Sequence, residues 1–388
     1  MPAGDALISF IDYPESATSM SARQLAYGAV VALCILTLGW YGLKPAIVGS
    51  VNLQGFGAGE AVLDTSAVDV ARKVDLGKYL YRQVIPAEDL HIDHPSRRVI
   101  IIGDIHGMYK PFQELLNKIE YKPETDTLLH VGDVIAKGTD STKVLDWLMV
   151  HNVKGVRGNH DQKVIGWRIW QDWVESIPAG KQWLRRVEKL THTEFTSQKM
   201  KHKESKADKA HRKQFAFPDD RDWVWSSEHY WLARKLSREQ YEYLLSLPLT
   251  ISLPGLRSHI VHAGILPHQL KESKPDPWSL MNIRTVLPSG AVSRKFDGTP
   301  WTHLFNRYQE NVEDAKHADR EAVVFGHAAK MGLQVERWTL GLDTGCVYGR
   351  ELTAVVINGG SVEGDEAARE VYVGNRTGRL WSVECKAP

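Results

Sequence analysis

The 388-residue chain carries 48 Lys and Arg against 47 Asp and Glu, a formal net charge of +1, and 43% of it is hydrophobic. That length and apolar content support a full core with appendages and exclude a disordered tail protein. The near-neutral balance excludes a protein that wraps nucleic acid by bulk charge. No sequence-specific nucleic-acid binding is expected, and polyanion binding would have to rest on local basic patches.

The chain opens with a polar stretch over 1–24. Leu25 to Leu43 follows without a charge, between Arg23 and Lys44 and with Trp40 and Tyr41 near one end. A bilayer needs about 20 apolar residues, so this run is long enough to span one, with the aromatic pair as an interface anchor. The long polar leader is unlike a cleavable signal, which starts charged and has a shorter apolar core. The pattern predicts an uncleaved signal anchor in a single-pass protein, amino end in the cytosol and catalytic part beyond the membrane. Residues 44–97, with Gly-rich and polar stretches, read as a juxtamembrane linker followed by approach strands or a short helix.

From Arg98 the pattern changes. RVIIIGDIHG is an apolar, mostly β-branched run that ends in a Gly-flanked turn bearing Asp104 and His106. That is the pattern of a strand buried on both faces, with ligand-bearing residues outside its carboxyl end. The pattern recurs down the chain. TLLHVGD delivers Asp133, VKGVRGNHD delivers Asn159, IVHAG delivers His262 and VVFGHA delivers His327. Oxygen donors mixed with imidazoles suit borderline divalent ions such as Zn, Mn, Co or Fe, with Zn or Mn favoured. Six such donors suffice for two ions if Asp133 is shared.

Between the first three strands, Tyr109 to Ile119 and Ser141 to Val150 have helical spacing and supply the crossovers that parallel strands require. Their Leu115, Leu116, Leu145, Trp147 and Leu148 are expected in the core. Residues 162–247 read as a helical insertion, with Trp223, Trp225, Tyr230 and Trp231 packing it onto the core. Its basic run from Lys199 to Lys213 is either a solvated face or a surface for a phosphate chain. Strands resume at Pro248 to Gly264 and from Glu321 onward, with a helix near Thr302 to Gln309. Two packed sheets flanked by helices predict a four-layer α/β/β/α sandwich. Of the three cysteines, Cys346 and Cys385 could pair in an oxidising lumen, and without geometry two free thiols are the simpler reading.

Taken in order, GDIHG, GDVIAKG, GNHD, HAG and GHA resemble the signature of the calcineurin-like metallophosphatases from roughly Arg98 to Val383. Most phosphoprotein phosphatases of that group carry GDxxDRG as the second motif, whereas Ala136 and Lys137 occupy its Asp and Arg places. That variant is similar to the ApaH-like phosphatases, a branch that includes a fungal vacuolar endopolyphosphatase. The resemblance implies a metallophosphatase domain over 98–388, its helical cap at 162–247, and two divalent ions. Asp104, His106 and Asp133 would hold one ion, and Asp133, Asn159, His262 and His327 the other. It also implies a water activated between the ions as nucleophile, and His160 as general acid.

An Asp of the second motif orients that histidine in most relatives, and Ala136 cannot. Asp161 is a candidate to take the task. Lys137, Arg157 and Arg284 are candidates to bind non-bridging phosphate oxygens, and Asp343 in GLDTG is either near the site or structural. The expected activity is phosphoanhydride hydrolysis, foremost endopolyphosphatase action on inorganic polyphosphate. Dinucleoside polyphosphates, capped RNA ends and phosphoproteins are the lesser enzyme options, and a membrane-tethered pseudo-phosphatase is the non-enzyme one. The resemblance further suggests a vacuolar membrane with a lumenal catalytic domain. There the sequon Asn375-Arg376-Thr377 would be available for glycosylation.

Overall fold

Residues 78–190, 206, 210, 215, 223–312, 320–358 and 369–388 are described in a computed structural model. In chain order the strands are β1 (Leu80–Val84), β2 (Arg98–Ile102), β3 (Asp126–His130), β4 (Lys154–Gly155), β5 (Pro248–Leu253) and β6 (Ser258–Val261). A small ribbon follows, β7 (Thr285–Val286), β8 (Val292–Ser293) and β9 (Thr299–Pro300). The last strands are β10 (Ala322–Phe325), β11 (Gln334–Val335), β12 (Thr339–Gly341), β13 (Glu351–Asn358), β14 (Glu370–Val373) and β15 (Arg376–Glu384). One sheet runs β14-β15-β13-β2-β3-β4 and the other β1-β5-β6-β10-β12-β11. Both are mixed, since β2, β3 and β4 are parallel while β13 runs against β2, and β6 and β10 are parallel while β5 runs against β6.

The unbroken apolar run of β2 is explained by what covers each face. Val99 and Ile101 join the core between the sheets, with Leu129, Val355, Ile251 and Val324, whereas Ile100 and Ile102 point to the helical layer. A strand covered on both sides has no position for a polar side chain. The second sheet divides the same way. Val324 of β10 faces inward while Val323 and Phe325 pack outward with Trp301 and Phe305. Helices therefore cover both outer faces, which gives the four-layer α/β/β/α sandwich.

The helices are α1 (Ala87–Leu90), α2 (Tyr109–Lys118), α3 (Ser141–Val150), α4 (Asn159–Ser176), α5 (Gly180–Val187), α6 (Glu228–Lys235), α7 (Arg238–Ser246), α8 (Pro277–Asn282) and α9 (Trp301–Glu310). The crossovers α2 and α3 bury Leu115, Leu116, Leu145 and Leu148 as expected, with Trp147 half-buried against them. In the insertion, α4 to α7 pack through Trp167, Trp170, Trp183, Trp225 and Tyr230, mostly edge to face. Trp231 departs from the expectation: it is exposed and donates its indole N–H to Ser226.

Two further features have topological causes. Strand β1 and helix α1 lie within 44–97, where an approach strand or a short helix is expected, and β1 pairs in parallel with β5, Leu80 opposite Pro248. The folded domain therefore starts ahead of Arg98. Cys346 and Cys385 are joined by a disulfide across a sequence separation of 39. The register of β13 on β15, Glu351 opposite Glu384, brings them together, and the Cys385 N–H donates to Arg350 O at 2.7 Å. Such adjacency arises from long-range pairing and leaves no trace in the spacing of cysteines. Among the described residues no helix is long and apolar enough to cross a membrane. The Leu25 to Leu43 run and, apart from Lys206 and Ala210, the stretch from Lys199 to Lys213 lie outside the described residues.

Candidate active site

The carboxyl ends of β2, β3 and β4 lie side by side, so the turns after them share one edge. Three of the candidate donors there adopt left-handed backbone: His106 at φ 47°, Asp133 at φ 48° and, after β10, His327 at φ 66°. Non-glycine residues rarely do so, and such positions gather at functional sites where the surrounding structure holds them. The Asp104 carboxylate accepts from the His327 N–H at 3.1 Å, tying the turn after β2 to the turn after β10. Asp133 Oδ1 accepts from the His160 N–H at 2.8 Å, at the start of α4. A Cβ on Gly158 would collide with Asp133 Oδ1, and one on Gly326 with Asp104 Oδ1, which explains both glycines.

The side chains converge with their acceptors facing inward. His262 donates Nδ1–H to Val131 O at 2.9 Å, leaving Nε2 bare in the neutral ring. That nitrogen lies 3.0 Å from Asn159 Oδ1 and 3.4 Å from Asp133 Oδ2. His327 Nδ1 is 2.9 Å from the same Asn159 oxygen. On the other side His106 Nδ1 faces Ile135 O at 3.3 Å, and its Nε2 lies 3.6 Å from Asp133 Oδ2 and 3.9 Å from Asp104 Oδ2. Donors bound to one ion at about 2.1 Å stand roughly 3.0–3.5 Å from each other. Acceptors at these separations repel unless a proton or a cation lies between them, so the donor set fits metal ions in place of protons, with Asp133 central to both halves.

The electrostatics agree. Burial raises Asp104 well above the usual carboxylate range, and the charges of Asp343 and Asp133 push the same way. Asp133 is buried too, but His262, His160 and His106 around it hold it well below that range. Burial takes His106 down to about 4, keeping Nε2 as an acceptor. Burial acts most strongly on His262 and lowers it, yet the charge and hydrogen bond of Asp133, the Val131 carbonyl and the Asp161 charge together lift it above the ordinary histidine value. The cluster is short of positive charge.

Other predicted residues divide. Lys137 and Arg284 line the same cavity of about 580 Å³, with Lys137 Nζ 3.0 Å from His106 Nε2. Arg284 donates to Arg294 O at 2.7 Å and His327 O at 3.2 Å, and its Nε is buried without a partner. Arg157 is elsewhere, a correction to its expected phosphate role. It is fully buried, donating to Lys78 O at 3.2 Å, Gln162 Oε1 at 3.0 Å and Leu245 O at 2.8 Å. It ties the insertion to the sandwich. Asp161 is also corrected: its carboxylate accepts from the N–H groups of Asp133, Val134 and Gly158 at 2.9, 3.2 and 2.9 Å. It braces the turns behind the site, and burial with the Asp133 charge raises it to about 7.

His160 lines the cavity, and its Nδ1 pairs with His229 Nε2 at 2.8 Å from the first turn of α6. Sequence reasoning missed His229, because only the packing of the insertion brings it there. It also missed Lys163, Arg294, Lys295, Lys330, Tyr348 and Arg350, which line the cavity. Asp343 is placed at the site, facing the same cavity.

Residues 97–331 match the calcineurin-like phosphoesterase family. The chain belongs to that family. A zinc-dependent endopolyphosphatase of Saccharomyces cerevisiae is 28% identical over 282 residues, covering 69% of this chain and 78% of its own. A symmetrical bis(5'-nucleosyl)-tetraphosphatase of Xylella fastidiosa is 26% identical over 291 residues, covering 66% of this chain and 86% of its own. Among solved structures, one provisionally assigned as a diadenosine tetraphosphatase superposes with a TM-score of 0.49 at 24% identity, covering 79% of this chain and 99% of its own. As a member of the family, this phosphoesterase is a hydrolase with the α/β metallophosphatase fold.

Proposed function

We propose that this phosphoesterase is a metal-dependent phosphoanhydride hydrolase that cuts inorganic polyphosphate within the chain. The observation that carries the reading is the charge of the cavity. Besides the buried carboxylates Asp104, Asp133 and Asp343, it is lined by Lys137, Lys163, Arg284, Arg294, Lys295, Lys330 and Arg350. One phosphate cannot engage that many cations, whereas a phosphate chain lying across the site can. The similarity to a zinc-dependent endopolyphosphatase supports the same substrate.

Asp104, His106 and Asp133 would hold one divalent ion, and Asp133, Asn159, His262 and His327 a second, Zn or Mn being favoured. When bound, such ions supply Lewis acidity, activating water and neutralising phosphoryl charge. The chain's own residues do the rest. Lys137 and Arg284 face the space where non-bridging oxygens would sit, and Asp161 holds the Asp133 turn in place. Water adds to phosphorus and releases a proton to solvent, the P–O bond to the bridging oxygen breaks, and that oxygen keeps the electron pair and takes a proton from the protonated His160 imidazole, a form that burial disfavours and the Asp133 charge favours. No phosphorylated residue is needed.

A second reading, hydrolysis of dinucleoside tetraphosphates, is favoured by Tyr348, 56% exposed on the cavity wall and available to stack a base. The two are separated by offering long-chain polyphosphate, diadenosine tetraphosphate and a phosphopeptide with Zn or Mn. Early products of intermediate length on a gel support internal cutting. Release of single phosphates, or turnover of the dinucleotide alone, overturns it. For location we propose the lumenal side of a vacuolar membrane, anchored through Leu25 to Leu43. The Cys346–Cys385 disulfide supports an oxidising compartment. Protease protection of intact organelles tests it: digestion of the catalytic domain without detergent would put it in the cytosol.

A further inference from the structure

In most of the phosphoprotein phosphatases that the motifs resemble, the second motif carries an Asp that the resemblance implies would orient the histidine next to the GNHD asparagine. This chain has Ala136 in that place, a residue without an acceptor. We infer that His229, from the helical insertion, is the positioning residue for His160. The inference rests on the general-acid role of His160 in the proposed function. Its geometric basis is independent of that role.

His160 Nδ1 and His229 Nε2 are 2.8 Å apart, one nitrogen donating and the other accepting. The two rings also stack, with centroids 5.0 Å apart and planes at 27°. On its other flank His160 meets His106 edge to face at 5.1 Å, and its own N–H is fixed by Asp133. An imidazole held at Nδ1, stacked on one side and abutted on another has its remaining nitrogen directed by those contacts. That is the task a carboxylate performs for an orienting hydrogen bond.

His229 is itself firmly placed. It is the second residue of α6, whose N-cap Ser227 accepts from the Tyr230 N–H, and Tyr230 is fully buried in the aromatic cluster of the insertion. The preceding Glu228 accepts the Lys137 N–H at 2.5 Å, so the same helical turn grips the second-motif loop as well as His160. Lys137 stands at φ 69° and Ala136 at φ 70°, a left-handed pair that gains an external brace there. The insertion thus supplies, from another part of the same chain, the contact that Ala136 cannot make, linking the variant GDVIAKG to a specific turn of the cap.

The test uses His229→Phe, which keeps a stacking ring but no hydrogen bond, and His229→Gln, whose amide reaches the place of Nε2. With aryl phosphates of rising leaving-group pKa, His229→Phe should lower kcat by about tenfold to a hundredfold, the loss growing with that pKa. KM should stay within about twofold, and His229→Gln should recover most of kcat. In a His160→Ala background His229→Phe should cost nothing further. The inference is overturned if the leaving-group dependence matches wild type, if Gln and Phe are equally impaired, or if the loss persists without His160. Aryl phosphates report on this whatever the natural substrate, so failure to cut polyphosphate would sink the proposed substrate and leave this result readable. Melting temperature and metal content of each variant identify a loss that comes from misfolding, in which case the Gln variant and the double-mutant cycle decide.

Discussion

Breaking the Cys346–Cys385 bond should both destabilise the protein and loosen its cavity. The disulfide closes a loop with a sequence separation of 39. Chain-entropy reasoning for a loop of that size gives about 4 kcal/mol from the restricted unfolded state, as an upper figure. Unfolding entropy near Tm is about 2.1 cal/mol/K per residue, or about 0.65 kcal/mol/K over roughly 310 residues. The expected fall in Tm is therefore about 6 °C.

The bond also anchors functional residues. Cys346 lies in the short 3-10 turn Cys346–Tyr348, between Asp343 and Arg350, and Asp343, Tyr348 and Arg350 all line the cavity. Cys385→Ser should therefore raise KM for polyphosphate severalfold with a smaller change in kcat. The assay is a melt of wild type and Cys385→Ser with and without reductant, thiol titration in parallel, then steady-state kinetics below both transitions. Wild type with reductant should melt like the variant. A variant within about 1 °C of wild type, or more than the single thiol of Cys34 in the untreated protein, would refute the reasoning.

Arg157→Leu should cost about 3 kcal/mol, since it removes the fully buried guanidinium that donates to the Lys78 and Leu245 carbonyls and to Gln162 Oε1. Urea unfolding measures it, and a raised KM with unchanged stability would restore the phosphate-binding role. Asp133→Asn should lower turnover by about a thousandfold or more while the fold persists, because it removes the charge central to both halves of the donor set. Circular dichroism with initial rates checks this, and near-normal turnover with full metal content would contradict it. Metal added to chelated protein should raise Tm, by the equivalent of about 2.7 kcal/mol at a hundred times Kd. An unchanged melt would mean that the acceptor cluster does not take up the ion.

What the sequence revealed was local. The runs before Asp104, Asp133, Asn159, His262 and His327 are strands or strand ends whose apolar residues are buried, and their terminal turns converge because adjacent strand ends share an edge within each sheet and the two sheets pack face to face. Crossover helices were legible for the same reason, their spacing being a property of the segment itself. Arg157 was misread because one position along the GVRGNHD stretch turns the side chain from the cavity toward Leu245 and Lys78. Asp161 was misread because a carboxylate near a catalytic motif can serve backbone N–H groups as readily as a side chain. His229, the pairing of β1 with β5 and the disulfide depend on contacts between segments far apart in the chain, where spacing carries no signal.

The central claim is that Asp104, His106, Asp133, Asn159, His262 and His327 form a two-ion centre. Counting bound metal in the purified active protein tests it most directly, by elemental analysis and by anomalous diffraction from crystals grown with Mn or Zn. The account predicts two ions per chain, both among these six side chains, with turnover lost and regained as they are removed and restored. Full turnover with fewer than two ions per chain, or with the ions bound elsewhere, would contradict it.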